Sequence, residues 1–120
     1  MPYVDGFLLS VPKKKVSQYV RVARQAGKLW KKHGALEYRE TVGDDLKNSM
    51  GTPFTKAARS KPGETPVFSW IVYKSKAHRD SVNKKVMKDP HMKEMMEDPR
   101  SVPFDIKRMS YGGFKVAVDL

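Results

Sequence analysis

Val67-Phe68-Ser69-Trp70-Ile71-Val72-Tyr73-Lys74-Ser75 is the stretch whose reading decides the fold. Val67 to Tyr73 is dominated by β-branched and aromatic side chains and reads as a strand. Its two alternating sets, Val67/Ser69/Ile71/Tyr73 and Phe68/Trp70/Val72, both carry apolar residues, the pattern of a strand covered on both faces. Ser75 then supplies a helix cap. The helix runs to about Lys88 with Ala77, Val82 and Val86 inward, and Asp89-Pro90 ends it.

Downstream, His91 to Asp98 reads as a short separate helix carrying Met92, Met95 and Met96, stopped by Pro99. Lys107 to Val118 reads as the last strand, with Gly112-Gly113 marking a bulge or bend. Upstream, Tyr3 to Val11 is a strand that Pro12 ends, again apolar on both faces. Lys14 to Lys32 is a helix, with Val16, Tyr19, Val20, Ala23, Gly27 and Trp30 on one side at 3.6-residue spacing and His33-Gly34 as its stop. Gly27, inside that helix, suggests close approach to a strand. Leu36 to Val42 alternates as a second strand with one polar face. Lys47 to Pro66 reads as a long loop, with one helical turn over Phe54 to Arg59.

The order β-α-β-loop-β-α-(α)-β is the split βαβ pattern of a ferredoxin-like α+β domain, an antiparallel sheet with its helices on one face. Strands apolar on both sides then need a second cover. The simplest is the sheet of a second copy, pairing as a dimeric α/β barrel. A length of 120 residues suits one domain spanning 1–120.

Composition narrows the function classes. No run approaches the roughly 18 to 20 apolar residues that a bilayer helix needs, and Met1-Pro2-Tyr3-Val4-Asp5 does not read as a signal peptide, so a cytoplasmic location with no membrane partner is expected. The absence of cysteine excludes disulfides, thiolate catalysis and cysteine zinc sites. Lys and Arg number 24 against 13 Asp and Glu, a net charge of +11 that attracts polyanions and also favours solubility.

Four segments carry a family resemblance: Tyr3-Val4-Asp5-Gly6-Phe7, His33-Gly34-Ala35-Leu36, Val67-Phe68-Ser69-Trp70-Ile71, and Phe104-Asp105 through Lys107-Arg108-Met109 to Tyr111-Gly112-Gly113-Phe114. With Gly43-Asp44-Asp45 and the Asp89-Pro90 helix end, these resemble the YbaA-like family of uncharacterised bacterial proteins, within the dimeric α/β-barrel superfamily. The resemblance spans nearly the whole chain. It implies a ferredoxin-like fold and dimerisation, and no established activity.

His33, at a helix end, reads either as a general base or ligand-binding imidazole, or as a histidine stabilised by the helix dipole. Asp5 sits in an apolar strand, where a carboxylate is costly unless paired. With Arg108 or Lys107 assigned to the neighbouring last strand, the expected pairing is Asp5 with one of them. The residues then suggest either a structural ion pair or a ligand-binding patch of Asp5, Trp70, Arg108 and Tyr111, in which the rings form flat walls and Arg108 grips an anion. Asp44-Asp45 reads as turn chemistry, with cation binding or acid/base work as the alternative. The stripe of Arg21, Arg24, Lys28 and Lys31, extended by Lys13 to Lys15 and by Lys76, Arg79, Lys84, Lys85 and Lys88, reads as a solvated basic face, or as a phosphate-contacting one.

No paired histidine spacing indicates a metal, and no Gly-rich phosphate loop, nucleophile elbow or triad indicates a cofactor or acyl transfer. Three functions follow, in order: a homodimer that binds a small molecule between sheet and helices; a cofactor-free small-substrate enzyme of monooxygenase or isomerase type, with His33, Asp5 and Tyr111 as acid/base candidates; and nucleic-acid binding through the basic helix face.

Overall fold

A computed structural model of the chain describes residues 1–47 and 50–120. Strand β1 (Tyr3–Pro12) pairs antiparallel with β3 (Glu64–Tyr73) along its whole length, from Tyr3 opposite Tyr73 to Pro12 opposite Glu64. β2 (Glu37–Val42) lies outside β3 and β4 (Ser110–Lys115) outside β1, giving the order β2-β3-β1-β4. The helices are α1 (Val16–Lys32), the single turn α2 (Phe54–Ala57), α3 (Lys76–Lys88) and α4 (Pro90–Glu97). This is the expected ferredoxin-like arrangement.

In-register pairing puts the odd-numbered residues of β1 and β3 on one face, because side chains alternate along a strand. Leu9, Val11, Val67, Ile71 and Tyr73 are buried on that face beneath Tyr19, Ala23 and Leu29 of α1, Val82 and Val86 of α3, and Met92 of α4. The helix ends follow the chemistry read from the sequence. Gly34 takes φ +118° after α1, and the Ala35 amide donates back to the Trp30 carbonyl at 3.0 Å. The Ser75 hydroxyl accepts from the His78 amide at 3.1 Å, and Asp89 caps α4 in the same way through the His91 amide.

The opposite face of the sheet carries Val4, Leu8, Phe68, Trp70, Val72 and Phe114. No α1, α3 or α4 residue covers it, and Phe68 and Phe114 are 47% and 62% exposed. Only α2 lies here, with Phe54 ring-to-ring on Phe68 at 5.9 Å. The three long helices thus share one face, as expected, and only the single turn α2 lies on the other.

Several boundaries differ from expectation. The helix read from Lys14 begins at Val16, after a 3-10 turn over Lys13–Lys15. β3 starts at Glu64 rather than Val67, because Thr65 and Pro66 pair with Val11 and Ser10. The loop read over Lys47 to Pro66 is thereby shortened, and its positions 48–49 lie outside the described residues. Ala77 is exposed, and Arg79 turns inward instead. Lys107 and Arg108 are not in the last strand. Asp105 accepts from the Lys107 amide at 3.0 Å and opens a 3-10 turn over Ile106–Arg108. Gly112 and Gly113 form no bulge, since they pair without interruption with Gly6 and Asp5. A Cβ on Gly113 would lie 2.8 Å from the Tyr3 ring, so the glycine makes room for that ring.

Gly27 does what its position suggests. A Cβ there would lie 2.6 Å from Cδ1 of Tyr38, whose hydroxyl is itself held by Glu40. Gly27→Ala therefore sets a helix-propensity gain of about 1 kcal/mol against overpacking of about 1–3 kcal/mol. Net destabilisation is expected, checked by the urea unfolding midpoint; an unchanged or higher midpoint would show that the ring gives way freely.

Candidate functional site

The sheet-facing side of α1 is lined with small residues, Ala23, Ala26 and Gly27, so the helix approaches β2 closely and leaves space further along. That space is a cavity of about 250 Å³ between α1 and the sheet, walled by Phe7, Ala26, Trp30 and Tyr38. Phe104 and Met109, from the segment leading into β4, flank its opening, with Phe104 edge-on to Tyr19 at 5.8 Å. The lining is mainly apolar and aromatic, as ligand pockets of this size usually are.

One polar group of atoms borders the cavity and a second lies behind Trp30, one of its walls. In the first, the Glu40 carboxylate accepts from the Tyr19 and Tyr38 hydroxyls, both at 2.7 Å. Burial, then the Glu40 charge, raises both tyrosines well above the ordinary phenol range. They stay protonated, so this corner offers fixed hydrogen-bonding groups rather than a base. In the second, Asn83 Oδ1 accepts from Trp30 Nε1 at 3.1 Å and from the Tyr73 hydroxyl at 3.3 Å.

Asn83 leads to Asp5, which is 2% exposed. Arg79 Nη1 donates to Asp5 Oδ1 at 2.6 Å and to the Tyr111 hydroxyl at 3.1 Å, while the Arg79 guanidinium sits 5.0 Å from the Tyr3 ring centroid. Burial pushes the Asp5 carboxyl above its usual value, and the Arg79 charge opposes that shift. Tyr111 stacks on Phe7 at 4.9 Å, so this cluster backs onto the cavity wall.

Asp5 and Tyr111 thus come together as expected, but through Arg79 rather than Arg108 or Lys107. On sequence alone Arg79 falls in the solvated stripe, and the structure turns it inward. Its 3–4-residue spacing with Val82 and Val86, both inward, was the signal that placed it on the buried face. Trp70 does not join them. As an even-numbered residue it points to the opposite face, with its ring 5.6 Å from Phe68 and Nε1 donating to Glu37 Oε1 at 3.2 Å. Arg108 also lies elsewhere, with Nη1 and Nη2 donating to the two Glu64 oxygens at 2.6 and 2.9 Å. His33 is separate again. Its Nε2 lies 2.7 Å from Asp89 Oδ2, and that contact, with the His91 amide, holds Asp89 well below the usual carboxylate range. The four-residue patch and the His33/Asp5/Tyr111 set are therefore not single sites.

Asp44 and Asp45 lie exposed in a loop. Arg21, Arg24, Lys28 and Lys31 are exposed on α1. Among the described residues, no group of three or more His, Cys, Asp or Glu side chains is arranged to hold a metal, and no helix is long and apolar enough to cross a membrane.

Comparison with known proteins fits this architecture. The family described as "Protein of unknown function (DUF1428)" matches residues 2–106. "Uncharacterized protein YbaA" of Escherichia coli strain K12 is 45% identical over 119 residues, 99% of each chain, which bears out the resemblance read from the residues. Among solved structures, an uncharacterised NIPSNAP domain protein from Burkholderia xenovorans superposes with a TM-score of 0.60 at 18% identity, covering 96% of this chain and 94% of its own. SnoaB, a cofactor-independent oxygenase from Streptomyces nogalater, does so with a TM-score of 0.54 at 11% identity, covering 99% and 96%. At these identities the two structures share the fold.

Two outcomes follow from the ion pairs. Arg79→Ala leaves a buried, unpaired carboxylate and should cost about 3–5 kcal/mol of unfolding free energy, whereas Asp5→Asn combined with Arg79→Met should recover much of it. Urea denaturation of both variants measures this, and an Arg79→Ala loss below about 1 kcal/mol would mean the pair is solvated. Hydrogen bonds from Arg108, then the Lys61 amide, hold Glu64 down at about 2 against an ordinary 4.5. That stabilisation is complete above 4.5 and is lost as pH falls from there toward 2. Glu64→Gln should lower the melting temperature by about 5 °C at neutral pH, with the difference from wild type closing over that acid range.

Proposed function

We propose that this chain, which belongs to the DUF1428 family, is a cytoplasmic homodimer that binds a small, largely apolar molecule between α1 and the sheet. The observation that carries the reading is the cavity of about 250 Å³, lined largely by aromatic and apolar side chains and bordered by the fixed Tyr19–Glu40–Tyr38 hydrogen bonds. Concave, mainly apolar recesses with a few fixed polar groups are the usual form of small-molecule sites. Shape complementarity would come from the rings of Phe7, Trp30 and Phe104, and orientation from the Tyr19–Glu40–Tyr38 corner.

Dimerisation is supported by the sheet's second face. Val4, Leu8, Phe68, Trp70, Val72 and Phe114 make a contiguous apolar surface across the β-strands, and water contact over such a surface is unfavourable. A second copy packing sheet to sheet would remove it while leaving the α1 cavity on the outside of each subunit.

A second reading, a cofactor-free enzyme of monooxygenase or isomerase type, draws on the fold shared with a cofactor-independent oxygenase and on the Asp5–Arg79–Tyr111 cluster behind Phe7. In that reading the Arg79 guanidinium, beside Asp5 and the Tyr111 hydroxyl, would stabilise a developing oxyanion. His33, tied to Asp89, would have no part in it.

Native mass spectrometry of freshly purified protein tests binding and assembly together. The expected result is a dimer carrying a small additional mass, with that mass absent from Ala26→Phe, which fills the cavity. Persistence of the same adduct in Ala26→Phe would move the ligand elsewhere, and a monomer at micromolar concentration would remove the sheet-to-sheet pairing.

A further inference from the structure

Between Asp5 and Glu37 the chain has no acidic residue, and every charged side chain in that interval is a Lys or Arg. Arg24, Lys28 and Lys31 fall at i, i+4 and i+7, one stripe of α1. Like charges at that spacing destabilise a helix. Several cations elsewhere meet carboxylates, Arg79 with Asp5, Arg108 with Glu64, Lys32 with Asp89 and Arg100 with Asp98, while others such as Lys84 stand in solvent. Among the described residues, Arg24 and Lys28 have no hydrogen-bonding or ion-pair partner, and Lys31 donates only to the Leu36 carbonyl.

These three side chains edge a groove of about 470 Å³ between α1 and β2. Its floor is apolar, formed by Val20, Ala23, Gly27 and the ring of Tyr38. Tyr38 and Glu40 form the wall shared with the inner cavity, so the groove lies on the other side of that wall. Glu40 is the one carboxylate at the groove, and two phenol hydroxyls already occupy it at 2.7 Å each. Among the described residues it forms no ion pair with the three cations.

We infer that this groove is a second binding site, for a small amphipathic anion. An apolar body lies along Val20, Gly27 and Tyr38, and a carboxylate is held among Arg24, Lys28 and Lys31. The inference stands apart from the inner cavity and does not require it to be occupied. An extended polyanion would use the cations but not the floor, so the apolar floor favours the small ligand over a nucleic acid.

Decanoate, used below its micelle-forming concentration, is the probe, titrated into the full-length ¹⁵N-labelled protein at low salt. The expected result is amide shifts at Gly27, Lys28 and Tyr38, with decanol binding about tenfold more weakly. Lys28→Glu should cost about tenfold in affinity, and Lys84→Glu, an exposed charge reversal on α3, should leave it unchanged. Equal affinity for decanol, or the same loss in Lys84→Glu, overturns the site. Absence of binding overturns it as well. Shifts confined to Ala26, Phe104 and Met109 would put the probe in the inner cavity, sinking the groove while supporting the cavity. Displacement of decanoate by oligothymidylate that binds the same amides more tightly would replace it with a nucleic-acid surface.

Discussion

The structure depends on the ten-residue pairing of β1 with β3. Once Tyr3 stands opposite Tyr73 and Pro12 opposite Glu64, the pleat assigns every side chain of the two central strands to a face. Leu9, Val11, Val67 and Ile71 then form one apolar surface, large enough to hold α1 and α3. The same alternation sends Asp5 under the helices and Trp70 to the far side. A shift of the register by one residue would put those two residues on the same face and split the apolar set between the two faces. The cavity, the Asp5 cluster and the open apolar face are all consequences of that single alignment.

Four buried or half-buried carboxylates tie the elements together. Asp5 joins β1 to α3 through Arg79; Glu40 joins β2 to α1 through Tyr19; Asp89 joins the start of α4 to the end of α1 through His33; Glu64 joins β3 to the turn before β4 through Arg108. Each bond spans a long stretch of sequence. Each carboxylate is satisfied by groups from a different element, which is how a small domain tolerates acidic residues at partly dry positions. In two of these clusters a histidine or arginine that looked available for chemistry is engaged in holding the fold.

Much of the architecture was legible because it follows local rules. Val67 to Tyr73, Ser75 as a cap, the Asp89-Pro90 break and the His33-Gly34 stop all act within a few residues, and the structure has them where the chain suggested. The site was less legible because partners are chosen across the fold. Arg108 was assigned to a strand, but Asp105 caps a 3-10 turn there and turns the guanidinium toward Glu64. Gly112-Gly113 looked like a bulge because glycine often marks one, whereas here the Tyr3 ring needs the space. The Tyr19–Glu40–Tyr38 corner went unnoticed because Tyr19 and Tyr38 read as ordinary core residues on two separate elements. Only the crossing of α1 over β2 brings their hydroxyls to one carboxylate.

The contact of Gly27 with Tyr38 has a consequence for how this protein diversifies. A helix resting on a sheet at one close point behaves as a lever, and the height of that point governs how far the rest of the helix stands off. Gly27 does not line the inner cavity, yet any side chain there would raise α1 on the Tyr38 ring and alter the room beneath Ala26 and Trp30. The room between α1 and the sheet is therefore governed by a position that does not line it. A substitution at Gly27 would change that room without altering a single wall residue.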